Sequence, residues 1–156
     1  MRTVALLAWI TIIHVPAVFA QSNAGVQADV QTTRADLQAQ RTQLVAENLP
    51  LTEAEGQKFW PLYNEYRGKW SKLDDRAITL VQDYANSYDT MTDEKAKELL
   101  KEQLSIDEDR LKLRRSYLGK FEKVLPWKKT ARYYQIERKM DAAIAGETAA
   151  VVPFVK

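Results

Sequence analysis

The side chains from which this chain could build reaction chemistry are few. Its only histidine, His14, sits in an apolar stretch near the N-terminus, and there is no cysteine. Imidazole is the usual proton-transfer group near neutral pH, and imidazole and thiolate are the commonest soft-metal ligands. The carboxylate pairs Asp74-Asp75 and Asp107-Asp109 could do acid–base work. However, no histidine, glycine-rich nucleophile turn or phosphate-cradling loop accompanies them. Neither an enzyme nor a cofactor is expected. Apart from carboxylates, Met91 and Met140 are the metal ligands left beyond the N-terminal stretch. The chemistry that remains is recognition by apolar contact and charge.

Two sets of residues suit that chemistry. Tyr63, Tyr66, Trp70, Tyr84 and Tyr88 fall at helical spacing, and most carry a polar tip that tolerates a half-wet surface. Trp60 and Trp127 each adjoin a proline. Arg114 and Arg115, with Lys128, Lys129, Arg132, Arg138 and Lys139, make the C-terminal third the most basic part. From Pro126 to Gly146 there are five basic and two acidic residues. The candidate client-binding set is therefore Trp60, Tyr63, Tyr66, Trp70, Tyr84, Tyr88, Arg114, Arg115, Lys128, Lys129 and Arg132. Charge would speed encounter and the rings would hold an apolar segment. The plainer alternative is packing between helices for the rings and a solvated face for the cations.

The elements that must position these residues are helical. Glycine and proline number five each, too few for the turns of an all-β domain, and the formal charge is only +2 with both signs interleaved. That mixing argues against a nucleic-acid surface. A first helix is expected from Thr32 or Thr33 to Asn48, ended by Pro50. Thr52-Glu53-Ala54-Glu55 has capping-box spacing. From there a seam of Phe59, Tyr63, Tyr66, Trp70, Leu73, Ala77, Leu80 and Tyr84 alternates steps of four and three. Pro61 should kink or restart that helix. Tyr88 to Met91 reads as a turn, and Thr92 as the cap of a second long helix reaching Val124. That helix carries two apolar stripes: Leu100, Leu104, Leu111, Leu118, Phe121 and Leu125, interrupted by Asp107 and Arg114, beside Leu99, Ile106, Leu113, Tyr117 and Val124. So wide a face implies more than one neighbour. Pro126 opens a last helix, with Gly146 as its expected cap and an apolar tail after it.

The fold expected is all-α: an elongated antiparallel helical hairpin with a flanking N-terminal helix and a C-terminal helix, forming a dimer. Residues 1–20 read as a signal peptide. Arg2 precedes the apolar run Val4 to Ile13, and Val18-Phe19-Ala20 offers small residues for cleavage after Ala20. The alternative is an uncleaved anchor, which alone would give the chain a membrane contact. Residues 21–31 read as a flexible leader, 32–146 as the helical domain and 147–156 as a tail.

Leu49-Pro50-Leu51-Thr52-Glu53-Ala54-Glu55, followed by Gln57-Lys58-Phe59-Trp60-Pro61-Leu62-Tyr63-Asn64-Glu65-Tyr66, resembles the helix start of the Spy/CpxP-like periplasmic proteins. The Leu-Thr-x-x-Gln signature of that family is met here by Leu51-Thr52 and more loosely by Met91-Thr92, with Glu55 and Lys95 where the glutamine would stand. The resemblance implies a secreted helical dimer acting as an ATP-independent periplasmic holdase or envelope-stress accessory. Its partners would be unfolded or partly folded envelope proteins. The alternatives are a regulatory partner of an envelope stress sensor or anti-sigma system and, less in keeping with the residues, a metal sensor.

Overall fold

The computed structural model describes residues 35–155, so the expected signal peptide, the expected leader and the expected start of the first helix lie outside the described residues. Every long element described is an α-helix. No helix among the described residues is long and apolar enough to cross a membrane. The chain divides into two compact units after Thr42. Of the first unit, residues 35–42 are described; they are helical, and the Thr42 hydroxyl donates to the Gln38 carbonyl at 2.8 Å. The second unit begins at Gln43 and holds the remaining elements.

Helix α1, described over residues 35–48, ends where Pro50 forbids its continuation, and it buries Val45 and Leu49. Helix α2 spans Glu53–Ser87, about 50 Å at the usual rise. Its start is the expected capping box. The Glu55 N–H donates to the Thr52 hydroxyl at 3.3 Å, and the Thr52 N–H donates to the Glu55 carboxylate at 2.7 Å. The helix runs unbroken through Pro61, which faces solvent. One missing N–H there leaves the Gln57 carbonyl to water, while Phe59 on one side and Tyr63 on the other fix both segments in the same core.

A single 3₁₀ turn, Tyr88–Thr90, leads to α3, Asp93–Phe121. The Thr92 hydroxyl caps α3 by accepting from the Lys95 N–H at 3.1 Å. The helix stops three residues before the expected Val124, in a tight turn where the N–H groups of Val124 and Leu125 both reach the Phe121 carbonyl. Helix α4 then runs Trp127–Val151, with Pro126 as the residue before its first turn. Gly146 does not end it, contrary to the sequence expectation. No glycine among the described residues takes the left-handed conformation such a cap needs. The stop is instead Pro153, which holds Val152 extended, so the segment 147–151 belongs to the helix and not to a tail.

Ion pairs and hydrogen bonds join these helices in order. Along α2, Glu65 meets Tyr117, Asp74 meets Arg110, Arg76 meets Asp109 and Glu102, and Asp83 meets Lys95, so partner numbers on α3 fall as those on α2 rise. Against α4 they rise together: Glu55 meets Lys129, Arg67 meets Glu137, and the Tyr84 hydroxyl donates to the Pro153 carbonyl. The aromatic core lies in the first half of α2. Phe121 is its hub, with ring centroids 4.7 Å from Tyr133, 5.6 Å from Phe59 and 5.9 Å from Tyr66. Beyond Trp70 the seam continues as Leu73, Ala77, Leu80 and Tyr84, which are only half-buried.

The first stripe of α3 is split: it is exposed at Leu100, Leu104 and Leu111 and buried at Phe121 and Leu125. Leu99, Ile106 and Tyr117 are buried, joined by Phe121 and Leu125, whereas Leu100, Leu104 and Leu111 remain 60%, 59% and 45% exposed. The buried face carries Tyr117 and Phe121, one from each stripe, which interlock with Tyr66 and Phe59. The leucine row is left outside.

Candidate functional site

Three of the expected client-gripping residues are core residues. Tyr63 is 0% exposed, Tyr66 3% and Trp70 3%. Their spacing reflects packing against α3 and α4, which removes them from any surface a client could reach; burial also pushes the Tyr66 hydroxyl pKa well up. Trp60 is half-buried with its ring edge-on to Phe59 and Tyr63. Tyr84 and Tyr88 form a separate pair, 5.8 Å apart, at the far end of α2.

The cations sort in a similar way. Arg114 bonds Asp141 at 2.8 Å, and its guanidinium sits 4.7 Å over the Trp70 ring. Arg110 and Arg67 approach the same ring at 5.7 and 5.8 Å. Arg67 is also paired with Glu137 at 3.5 Å, both side chains almost fully buried. Arg114 is thus a structural clamp. Lys129 is tied to Glu55 at 2.6 Å. Arg115 and Lys128 stay exposed, and Arg132 donates to the Asn48 carbonyl at the end of α1.

A second polar knot lies between α2 and α3. The Tyr117 hydroxyl donates to Glu65 at 2.6 Å, with Lys69 at 3.0 Å and Lys120 at 3.3 Å. These contacts, the Tyr117 hydrogen bond foremost, lower the Glu65 pKa from 4.5 to about 2. A carboxylate with a depressed folded-state pKa contributes stability that is present above the unfolded value and lost as pH falls through the folded one. Glu65→Gln is therefore expected to flatten the decline in melting temperature between pH 4.5 and about 2, while leaving the profile above pH 5 parallel to that of the parent. A pH series of thermal melts checks this.

Two surfaces remain open for binding. One is the outer row of α3, Leu100, Leu104 and Leu111, with the exposed cations Lys97, Lys101 and Arg115 on the same helix. The other is a groove of about 430 Å³ where Leu44 and Asn48 of α1 face Arg132, Gln135, Ile136, Lys139, Met140 and Ala143 of α4. A smaller hollow of about 200 Å³ lies between α2 and α3, but Arg76, Asp83 and Glu102 on its walls are already engaged in ion pairs. Among the described residues no three metal-ligating side chains converge. Both surfaces offer apolar contact and positive charge. Of the expected set, Arg132 reaches the groove, and Arg115 shares a helix with the leucine row. In the sequence Lys139 stands out only as one of the basic residues and Met140 only as a soft ligand; nothing there signals that they meet Leu44 and Ile136. Arg67 and Glu137 carry no local sequence signal for their pairing, because 70 residues separate them.

Comparison with protein families, with curated proteins and with solved structures gave no match.

Proposed function

We propose that this chain is an ATP-independent holdase or stress accessory of the periplasm, in keeping with its resemblance to the Spy/CpxP-like proteins. In this reading α2 and α3 form an antiparallel helical hairpin that pairs with a second copy, and apolar side chains outside the core hold unfolded envelope proteins. The falling partner numbers between α2 and α3 support the hairpin. The observation that carries the function is the bare row Leu100, Leu104 and Leu111, which recurs along one side of a helix whose other side is fully used. Isolated exposed leucines are ordinary, but an aligned row beside exposed cations suits contact with another polypeptide. Binding moves from the aromatic stripe to this row, because the rings are needed inside.

The test is light scattering of a reduced, aggregating secretory protein mixed with the purified chain at several-fold molar excess. Suppression is expected, and it should weaken in a Leu100→Glu, Leu104→Glu double variant. Scattering unchanged by the parent chain would overturn the reading.

A further inference from the structure

We infer that the groove between α1 and α4 is a docking site for an amphipathic helical segment carrying acidic residues, the kind of client segment the proposed capture function would meet; the inference rests on that function. Leu44, Ile136, Met140 and Ala143 supply an apolar floor, and Arg132 and Lys139 stand on its rim. Arg132, Ile136, Lys139 and Ala143 follow one another at steps of four, three and four, so they share one face of α4, at whose edge Ile136 and Met140 also pack against the core. No carboxylate lines the groove. Lys139 has no bonded partner among the described residues, and Arg132 is bonded to a backbone carbonyl, not to an acid. Two cations beside an apolar floor therefore go unneutralised.

Their spacing selects the occupant. Arg132 and Lys139 are seven residues apart on one helix, about 10 Å along its axis. A single-headed acyl anion satisfies one of them and leaves the other bare. A helix laid along the groove presents acidic side chains two turns apart at the same interval, with its apolar stripe between them, and meets both. Methionine on the floor adapts to different apolar side chains, which suits many related segments over one exact sequence.

The test measures fluorescence anisotropy of a labelled amphipathic peptide of roughly 18 residues with leucines on one face and glutamates two turns apart. A companion peptide has lysines in place of the glutamates. The full chain is expected to bind the acidic peptide. Ala143→Trp, which fills the groove from an exposed position, and Lys139→Glu should each weaken that binding about ten-fold. Lys139→Glu should also bind the lysine peptide better than the parent does, a reversal that a merely structural role would not produce. Unchanged binding in both variants, or no reversal, overturns the assignment. So does displacement of the peptide by dodecanoate at equal concentration, which would mark an acyl-anion site. If the chain suppresses aggregation but binds neither peptide, the groove assignment falls and the holdase reading stands. If it binds the acidic peptide but leaves aggregation unchanged, the holdase reading falls alone.

Discussion

Replacing Phe121 with alanine is expected to cost about 3–5 kcal/mol, the range for emptying a buried aromatic site. Phe121 is 0% exposed and lies within ring contact of Phe59, Tyr66, Tyr117, Tyr133 and Tyr134, so three helices lose a shared neighbour at once. The cavity cannot close easily. Each surrounding ring is already held by another, as Phe59 is by Tyr63 and Tyr66 is by Trp70. Against a total stability of about 5–15 kcal/mol for a domain of this kind, such a loss brings the midpoint of denaturant unfolding down by about a fifth or more. Phe121→Leu, which keeps most of the volume, should fall well short of that. Urea titrations followed by tryptophan emission compare the two, since the Trp70 ring lies tilted against Tyr66, centroids 5.6 Å apart, beside the site. Equal midpoints for Phe121→Ala and the parent would show that the aromatic cluster is not the principal source of stability.

The buried pair of Arg67 and Glu137 gives the second large effect, with a sign that depends on how it is broken. Their side chains are 8% and 7% exposed, and they link α2 to α4 at 3.5 Å. Glu137→Ala takes from the interior Arg67 guanidinium its carboxylate at 3.5 Å, with Asp74 at 3.9 Å and the Trp70 face at 5.8 Å among the neighbours it keeps. The expected loss is about 3 kcal/mol, because an ion taken out of water without its counter-ion retains most of its desolvation penalty. Replacing both residues, as Arg67→Met with Glu137→Leu, removes that penalty from each side. The double variant is expected to melt at or above the parent temperature. Thermal melts of Arg67→Met, Glu137→Leu and the double variant form a cycle that tests this. A double variant as unstable as Glu137→Ala would mean that the pair contributes net stability, not only relative orientation.

The fold was legible where the cause is local. Thr52 and Glu55 stand three residues apart, and Thr92 precedes two acidic residues, so the starts of α2 and α3 follow from capping chemistry alone. The seam from Phe59 to Tyr84 also follows from its spacing. On α3, however, both stripes are apolar, and composition does not say which residues of each turn inward. The choice depends on the fit of Tyr117 and Phe121 against Tyr66 and Phe59, a property of shapes brought together from distant parts of the chain. Gly146 misled because a glycine near a helix end is compatible with a cap but does not compel one, whereas Pro153 does restrict the residue before it. The candidate site was harder to see for the same reason as the α3 stripes. Aromatic spacing that suits gripping is the same spacing that suits packing, and burial decides between them only after the partners have met. The groove brings Leu44 within reach of Ile136 and Met140, and no pattern confined to one segment encodes that meeting.

The second half of α2 is fastened to α3 differently from the first. Up to Trp70 the contact is ring against ring, whereas beyond it Arg76 bridges Glu102 and Asp109, and Lys95 holds Asp83. Apolar attachment loosens on cooling, and charged attachment loses less to desolvation on warming but yields to added salt. Cold therefore bears on the first half of α2 and brine on the second, so which part of the α2–α3 contact opens first depends on the solution.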